Sequence, residues 1–159
     1  KPISAFRGKT DSRLVCLADI MPTLLELCGI EIPTNIEGIS AISEEKRDML
    51  YCEITDHDLA TRMVHDGRFK LIYYPVGNYI QLFDLESDPN ELNNLAAIEL
   101  YADILKKLSA FLIENLYKGD EAWAEDGKLV GVLNKPFSSI PDYNFSGQRG
   151  GHWPPPIGK

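Results

Sequence analysis

The sequence predicts an α+β fold, in which an antiparallel sheet of about four strands carries one long packed helix. Short segments of strand-forming residues, joined by tight turns, predict the sheet. A later amphipathic segment predicts the helix. The 159 residues are 44% hydrophobic and 25% charged, as is typical of one globular domain. A chain of this length and composition can bury a core of its own.

The segment before the sheet predicts one short helix. The apolar residues 14–18 predict a buried strand. Asp19, followed by Pro22, then predicts the start of a helix, and Gly29 predicts its end. Residues 31–47 contain proline, glycine, serine and mixed charge, so they predict a loop.

Residues 48–84 predict an antiparallel meander. Alternating side chains over residues 48–55 predict the first strand. Residues 61–65 and 68–74 then predict a hairpin around Asp66-Gly67, a favoured turn pair. A second turn leads into the last predicted strand, residues 79–84.

Residues 98–117 predict the long helix, and Gly119 its end. An amphipathic helix after an antiparallel sheet is expected to pack across one face of that sheet. From residue 134 onward, prolines and glycines predict an extended tail. Trp153-Pro154-Pro155-Pro156 in this tail is either a polyproline ligand or a segment that buries Trp153.

Charge and motifs exclude several functional classes. Sixteen Lys and Arg against 24 Asp and Glu give a formal net charge of -8, which repels nucleic acid and anionic membranes. Three cysteines are too few for a disulfide framework, and their spacing matches no zinc ribbon. Gly38-Ile39-Ser40-Ala41 lacks the second glycine of a nucleophile elbow. We therefore expect neither nucleic acid nor a membrane as partner.

A cluster of Asp and His and a set of basic side chains lie near the predicted hairpin, and each has two possible interpretations. Asp56-His57-Asp58, with His65 and Asp66 nearby, could hold a divalent cation or form an ordinary polar turn. The basic residues could recognise an anion or pair with acids on neighbouring strands. These basic residues are Arg62, Arg68 and Lys70.

Three segments, in order, resemble the type I sulfatase (arylsulfatase-like) family, in its C-terminal portion only. Residues 19–29 are similar to the family segment D-x-x-P-T-L-L-x-x-x-G, and residues 62–72 resemble the C-terminal hairpin. Residues 82–95 match the pattern L-Y/F-D-L-x-x-D-P-x-E-x-x-N-L. The resemblance covers roughly residues 14–117.

The resemblance implies a large domain of the alkaline-phosphatase-like superfamily, followed by a small subdomain with a four-stranded antiparallel sheet and a packed helix. Residues 1–47 would then end the large sulfatase domain, with a helix at about 19–28 and a loop. Residues 48–133 would form the C-terminal subdomain, and residues 134–159 an extended Pro/Gly-rich tail.

The resemblance also implies a mechanism. A Cys or Ser in a Cys/Ser-x-Pro-x-Arg motif becomes formylglycine, whose hydrate attacks the sulfur of a sulfate ester beside a calcium-type cation. In this chain no Cys or Ser is followed by x-Pro-x-Arg, and the cation ligands of the family lie before its first segment. We therefore assign no catalytic residue, no metal ligand and no cofactor here, and expect the isolated chain to be inactive.

The expected contribution of the chain is to the rim of the parent's substrate cleft, which the small subdomain adjoins. The substrate-cleft candidates are Asp56, His57 and Arg62, because they lie on or beside a polar loop between two strands. Two alternatives are a standalone binding module derived from a sulfatase and a part of a related phosphoesterase.

The expected partner is the missing N-terminal catalytic domain of the same polypeptide. A severed piece would expose an apolar patch that also favours self-association. We expect this patch around Leu14, Leu17, Leu24 and Leu25.

Overall fold

A four-stranded antiparallel sheet forms the centre of the computed structural model, which describes residues 8, 10–55 and 60–132. The strands follow the chain, and each pairs with the next. They are β1 (Leu50–Ile54), β2 (Thr61–His65), β3 (Phe69–Tyr74) and β4 (Tyr79–Asp84). The predicted meander and α+β class are confirmed. The tail predicted for residues 134–159 lies outside the described residues.

One face of the sheet is buried, because alternate residues of β2 and β3 point into the core. Val64 opposes Leu71, and Leu71 opposes Leu82 on β4. The turn between β2 and β3 is fixed by Asp66, whose carboxylate accepts the amide hydrogens of Arg68 and Phe69. Gly67 has a φ of +96°, which glycine adopts without steric cost.

Helix α1 (Ile20–Leu27) precedes the sheet, and helix α2 (Ala102–Glu114) follows it. Leu108 and Leu112 of α2 are fully buried against the apolar face of the sheet. Trp123, in a 3-10 turn at Asp120–Trp123, belongs to the same core, with its ring centroid 6.4 Å from that of Tyr73. The predicted helix across the sheet is therefore confirmed. Within the described ranges, neither helix is long and apolar enough to cross a membrane.

The long helix ends earlier than the position of Gly119 predicts. The side-chain amide of Asn115 donates to the carbonyl oxygen of Phe111 at 2.8 Å, and this local bond competes with further helical turns. The chain then forms a small hairpin that the sequence analysis did not predict. Its strands are β5 (Ala124–Glu125) and β6 (Lys128–Leu129).

The strand predicted at residues 14–18 is wrong. Leu17 begins a 3-10 turn, Leu17–Asp19, and its side chain is 85% exposed. The turn forms because the Asp19 carboxylate accepts the amide hydrogen of Cys16 at 2.8 Å, while the amide of Asp19 donates to the Cys16 carbonyl. These bonds reverse the chain just before α1, which confirms the helix predicted at about residues 19–28.

Asp19 also fixes the loop that follows α1. Its carboxylate is 3% exposed and accepts hydrogen bonds from Arg47 at 2.5 and 2.7 Å and from the amide of Ile39 at 2.8 Å. Burial by itself would raise the pKa of Asp19, but the bonds from Arg47, Cys16 and Ile39 outweigh it and lower the pKa to about 2. The start of α1 and the end of the loop are therefore tied together.

Gly38 lies against the same turn. A Cβ atom at this position would lie 2.1 Å from the carbonyl oxygen of Ala18. Only glycine permits this close approach of two backbone segments.

We expect Asp19→Asn to lower the free energy of unfolding by about 3 kcal/mol at neutral pH, because it leaves the Arg47 guanidinium without its carboxylate. The folded-state pKa of Asp19 lies below its unfolded value, so its stabilisation is present above pH ~4 and is lost as the pH falls toward ~2. Denaturant unfolding followed by circular dichroism should show the wild type and variant converging over that range.

Asp11→Asn is the matched control, because the Asp11 side chain is 49% exposed in its pair with Arg13, and solvent-exposed carboxylates contribute little to stability. A stability difference for Asp19→Asn that persists unchanged at pH ~2 would contradict the assignment.

Candidate functional site

An open depression of about 430 Å³ lies beside β1, at the edge of the sheet. Three parts of the chain meet there: the loop after α1, strand β1 and the segment that follows α2. The residues that line it are Glu37, Tyr51, Cys52, Glu53, Asn115 and Tyr117. We call this depression the β1 cavity.

Arg62 lies in the interior beside the β1 cavity rather than on its surface. It is 2% exposed and opposes Glu53 in the register of β1 and β2. Its Nε donates to Asp120 at 2.9 Å, and its guanidinium carbon lies 5.1 Å from the centroid of the Trp123 ring. Its charge is compensated by the Asp120 carboxylate and, at 3.7 Å, by Glu53.

Arg62 also binds backbone at both ends of the connection between β1 and β2. Its Nη1 donates to the carbonyl oxygens of Ile54 at 3.4 Å, Thr55 at 3.0 Å and Thr61 at 3.0 Å. Ile54 is the last residue of β1, and Thr61 is the first residue of β2. One guanidinium therefore fixes the distance between the two strand ends.

The other two basic residues of the hairpin are also paired with acids. Arg68 contacts Asp84 at 2.7 Å, and Lys70 contacts Glu91 at 2.7 Å. Of the two interpretations of these basic side chains, acid pairing is the one that the structure supports. The assignment of Arg62 to the rim of a substrate cleft stays a prediction.

The tyrosine hydroxyls and the cysteine thiol of the β1 cavity are poor nucleophiles, because each has a raised pKa. Burial raises the pKa of Tyr51 to about 12, and its hydroxyl has no hydrogen-bond partner within the described part of the chain. The hydroxyl of Tyr117 donates to Glu53, and this bond raises the pKa of Tyr117. Burial likewise raises the pKa of the Cys52 thiol, which lowers its reactivity. The cavity offers hydrogen-bonding groups, and the raised pKa values disfavour nucleophilic chemistry by these three side chains.

A bound metal ion does not fit the part of the chain that the structure describes. Over residues 8, 10–55 and 60–132, no group of three or more His, Cys, Asp or Glu side chains could hold a metal ion. His65, one member of the predicted cluster, lies with Nδ1 3.1 Å from the carbonyl oxygen of Phe69 and belongs to the hairpin turn. Asp56, His57 and Asp58 lie outside the described residues.

Sequence reasoning missed the residues that accompany Arg62. Asp120 is 58 positions away from it, so no local pattern links the two. Glu53 becomes its neighbour only through the register of β1 and β2. The single available signal was the alternation in β1, which places Tyr51 and Glu53 on one face.

Comparisons with known proteins agree with this architecture. The family model described as N-sulphoglucosamine sulphohydrolase, C-terminal, matches residues 2–118. An arylsulfatase of Clostridium perfringens is 32% identical over 130 residues, covering 78% of this chain and 27% of that protein. Arylsulfatase K of Homo sapiens is 29% identical, covering 96% of this chain and 28% of that protein.

Solved structures give the same result. BT1596, a 2-O GAG sulfatase, is similar with a TM-score of 0.55 and 31% identity, over 60% of this chain and 23% of that chain. The phosphonate monoester hydrolase of Agrobacterium radiobacter is similar with a TM-score of 0.52 and 26% identity, over 64% of this chain and 25% of that chain. This chain thus spans about a quarter of the length of each of these relatives.

The family model covers more than half of the chain. The four-stranded sheet and its packed helix are also found in solved sulfatases. The chain therefore belongs to the sulfatase family, of which it forms a C-terminal portion.

Proposed function

We propose that this chain is a C-terminal fragment of a sulfuric ester hydrolase, in which it supports the fold and shapes the substrate cleft. The observation that carries the proposal is the match of residues 2–118 to the C-terminal sulfatase domain, in a sequence that holds no Cys/Ser-x-Pro-x-Arg motif. The parent's calcium and formylglycine would be bound or formed in the rest of the polypeptide. The isolated chain would then be inactive.

The surface of α1 supports the proposal of a missing catalytic domain. Leu17 is 85% exposed and Leu24 is 57% exposed, and such apolar surface favours a covering partner. We define the α1 patch by the exposed residues Val15, Leu17, Ile20, Met21 and Leu24. Leu14 and Leu25, which were also expected in it, are half-buried. The matched segment covers only about a quarter of each relative, so the proposed occupant is the catalytic domain of the parent.

The cleft assignment of Asp56, His57 and Arg62 belongs to this proposal. Two features support it: Glu53, the second-last residue of β1, lines the β1 cavity, and Asp56 and His57 belong to the β1–β2 connection in the sequence. Polar side chains on a connection beside a cavity are well suited to contact a substrate.

A related phosphoesterase is the second candidate for the parent. It is favoured by the similarity to the phosphonate monoester hydrolase of Agrobacterium radiobacter, at 26% identity. Esters of sulfate and phosphate share tetrahedral geometry and differ in charge, so the same scaffold could serve either reaction.

We expect the full-length parent to hydrolyse p-nitrophenyl sulfate and the isolated chain to leave it intact. Release of p-nitrophenol would be measured for both proteins, with p-nitrophenyl phosphate and a phosphonate monoester as parallel substrates. Phosphonate turnover without sulfate turnover would favour the second candidate. Turnover by the isolated chain, or a natural gene product that begins near this chain's first residue, would contradict the fragment proposal.

We expect His57→Ala in the full-length parent to change substrate preference by about tenfold in kcat/KM, through loss of one hydrogen bond to the substrate. The ratio of kcat/KM between sulfated sugars and p-nitrophenyl sulfate would be measured, together with the unfolding temperature. His65→Gln is the matched control, because His65 belongs to the hairpin turn. An unchanged ratio for His57→Ala would remove His57 from the proposed cleft.

We expect Leu24→Glu to destabilise the full-length parent and to leave the unfolding temperature of the isolated chain nearly unchanged. In the parent the charge would be buried without a partner, whereas in the isolated chain it faces water. Leu100→Glu is the matched control, because Leu100 is 82% exposed on another surface. Equal unfolding temperatures for the two variants in the parent would contradict docking of the α1 patch on the catalytic domain. If Leu24→Glu instead only abolishes a dimer of the isolated chain, self-association through the patch is favoured.

A further inference from the structure

The contacts of Arg62 join three separate parts of the chain. Nη1 binds carbonyl oxygens of Ile54, Thr55 and Thr61, on both sides of the β1–β2 connection. Nε and Nη2 bind the carboxylate of Asp120, which begins the 3-10 turn after α2. Arg62 thereby holds the strand ends in a fixed position relative to this turn.

Only an arginine has the shape for these contacts. The planar guanidinium presents five N–H donors in fixed directions, so it can bind a carboxylate on one side and carbonyl oxygens on another. A lysine ammonium carries the same charge at a single point, and it cannot reach both sets of acceptors at once. Arginine and lysine at this position therefore differ in geometry while sharing charge.

The same guanidinium influences the β1 cavity through Glu53. Arg62 lies 3.7 Å from the Glu53 carboxylate, which also accepts a hydrogen bond from the Tyr117 hydroxyl. Glu53 and Tyr117 both line the cavity. Arg62 thus contacts the residues of the cavity from the protein interior, without reaching its surface.

From this geometry we infer that Arg62 is a positioning residue. It sets where the β1–β2 connection starts and ends and how Glu53 faces the β1 cavity, so it would act on substrate selection through these groups. This role in selection rests on the proposed function. It replaces a direct contact between Arg62 and substrate, because the side chain is 2% exposed and engaged by the protein.

The holding role is tested by hydrogen exchange on the chain itself. In Arg62→Lys we expect the amides of Thr55, Ala60 and Thr61 to exchange about tenfold faster, because the bonds from a charged donor are lost. Amides of β3 and β4 should be unaffected. Asp120→Asn removes the negative charge that pairs with Arg62 while retaining the size of the side chain, and it should give the same local pattern. Arg68→Lys, in another arginine–aspartate pair, is the matched control.

Uniformly faster exchange across the sheet in both variants would overturn the inference, because it would mean that Arg62 contributes only to global stability. Unchanged amide exchange at Thr55, Ala60 and Thr61 would overturn it as well.

The role in selection is tested by kinetics of the full-length parent. Arg62→Lys should raise the KM for sulfated sugars about tenfold and should change the KM for p-nitrophenyl sulfate much less. An equal rise in KM for the sulfated sugars and for p-nitrophenyl sulfate would overturn the proposed role of Arg62 in substrate selection. If the wild-type parent cleaves no sulfate ester, the proposed function fails, whereas the exchange experiment still decides whether Arg62 holds the connection.

Discussion

The buried guanidinium of Arg62 needs compensating acceptors, and this need constrains the positions of several parts of the chain. Removing a guanidinium from water is costly unless carboxylates and carbonyl oxygens replace the lost hydration. For Arg62 these acceptors come from the end of β1 and the residue after it, from the start of β2 and from Asp120. The strand register and the path of the chain after α2 must therefore be correct together. A shift of one residue between β1 and β2 would move Glu53 away from the charge.

The apolar core and this charged cluster meet at Trp123. One contact of the indole ring is with Arg62 and another is with Tyr73. The ring also belongs to the core that includes Leu108 and Leu112 of α2. Burial of the indole lowers the local polarity, which strengthens the pairing of Arg62 with Asp120. Core packing and charge compensation are thus coupled through one side chain.

The sequence was sufficient for features that depend on neighbouring residues. The turn at Asp66-Gly67, the alternation in β2 and β3 and the helical spacing before Leu112 are all local signals, and the structure follows them. The error at residues 14–18 has a physical cause, since an apolar run indicates burial, but Leu17 is exposed in this chain. The candidate site was harder to predict, because Glu37, Tyr51 and Tyr117 come together only after the sheet and α2 have packed.

Gly38 has a consequence for how freely this sequence can vary. Surface loops usually accept many replacements, and Gly38 lies in a loop without regular secondary structure. The carbonyl of Ala18 nevertheless occupies the space that any side chain would need there. In a saturation library selected for solubility, position 38 should retain glycine while its loop neighbours diversify. The tolerance of this position to substitution therefore cannot be estimated from its location in a loop.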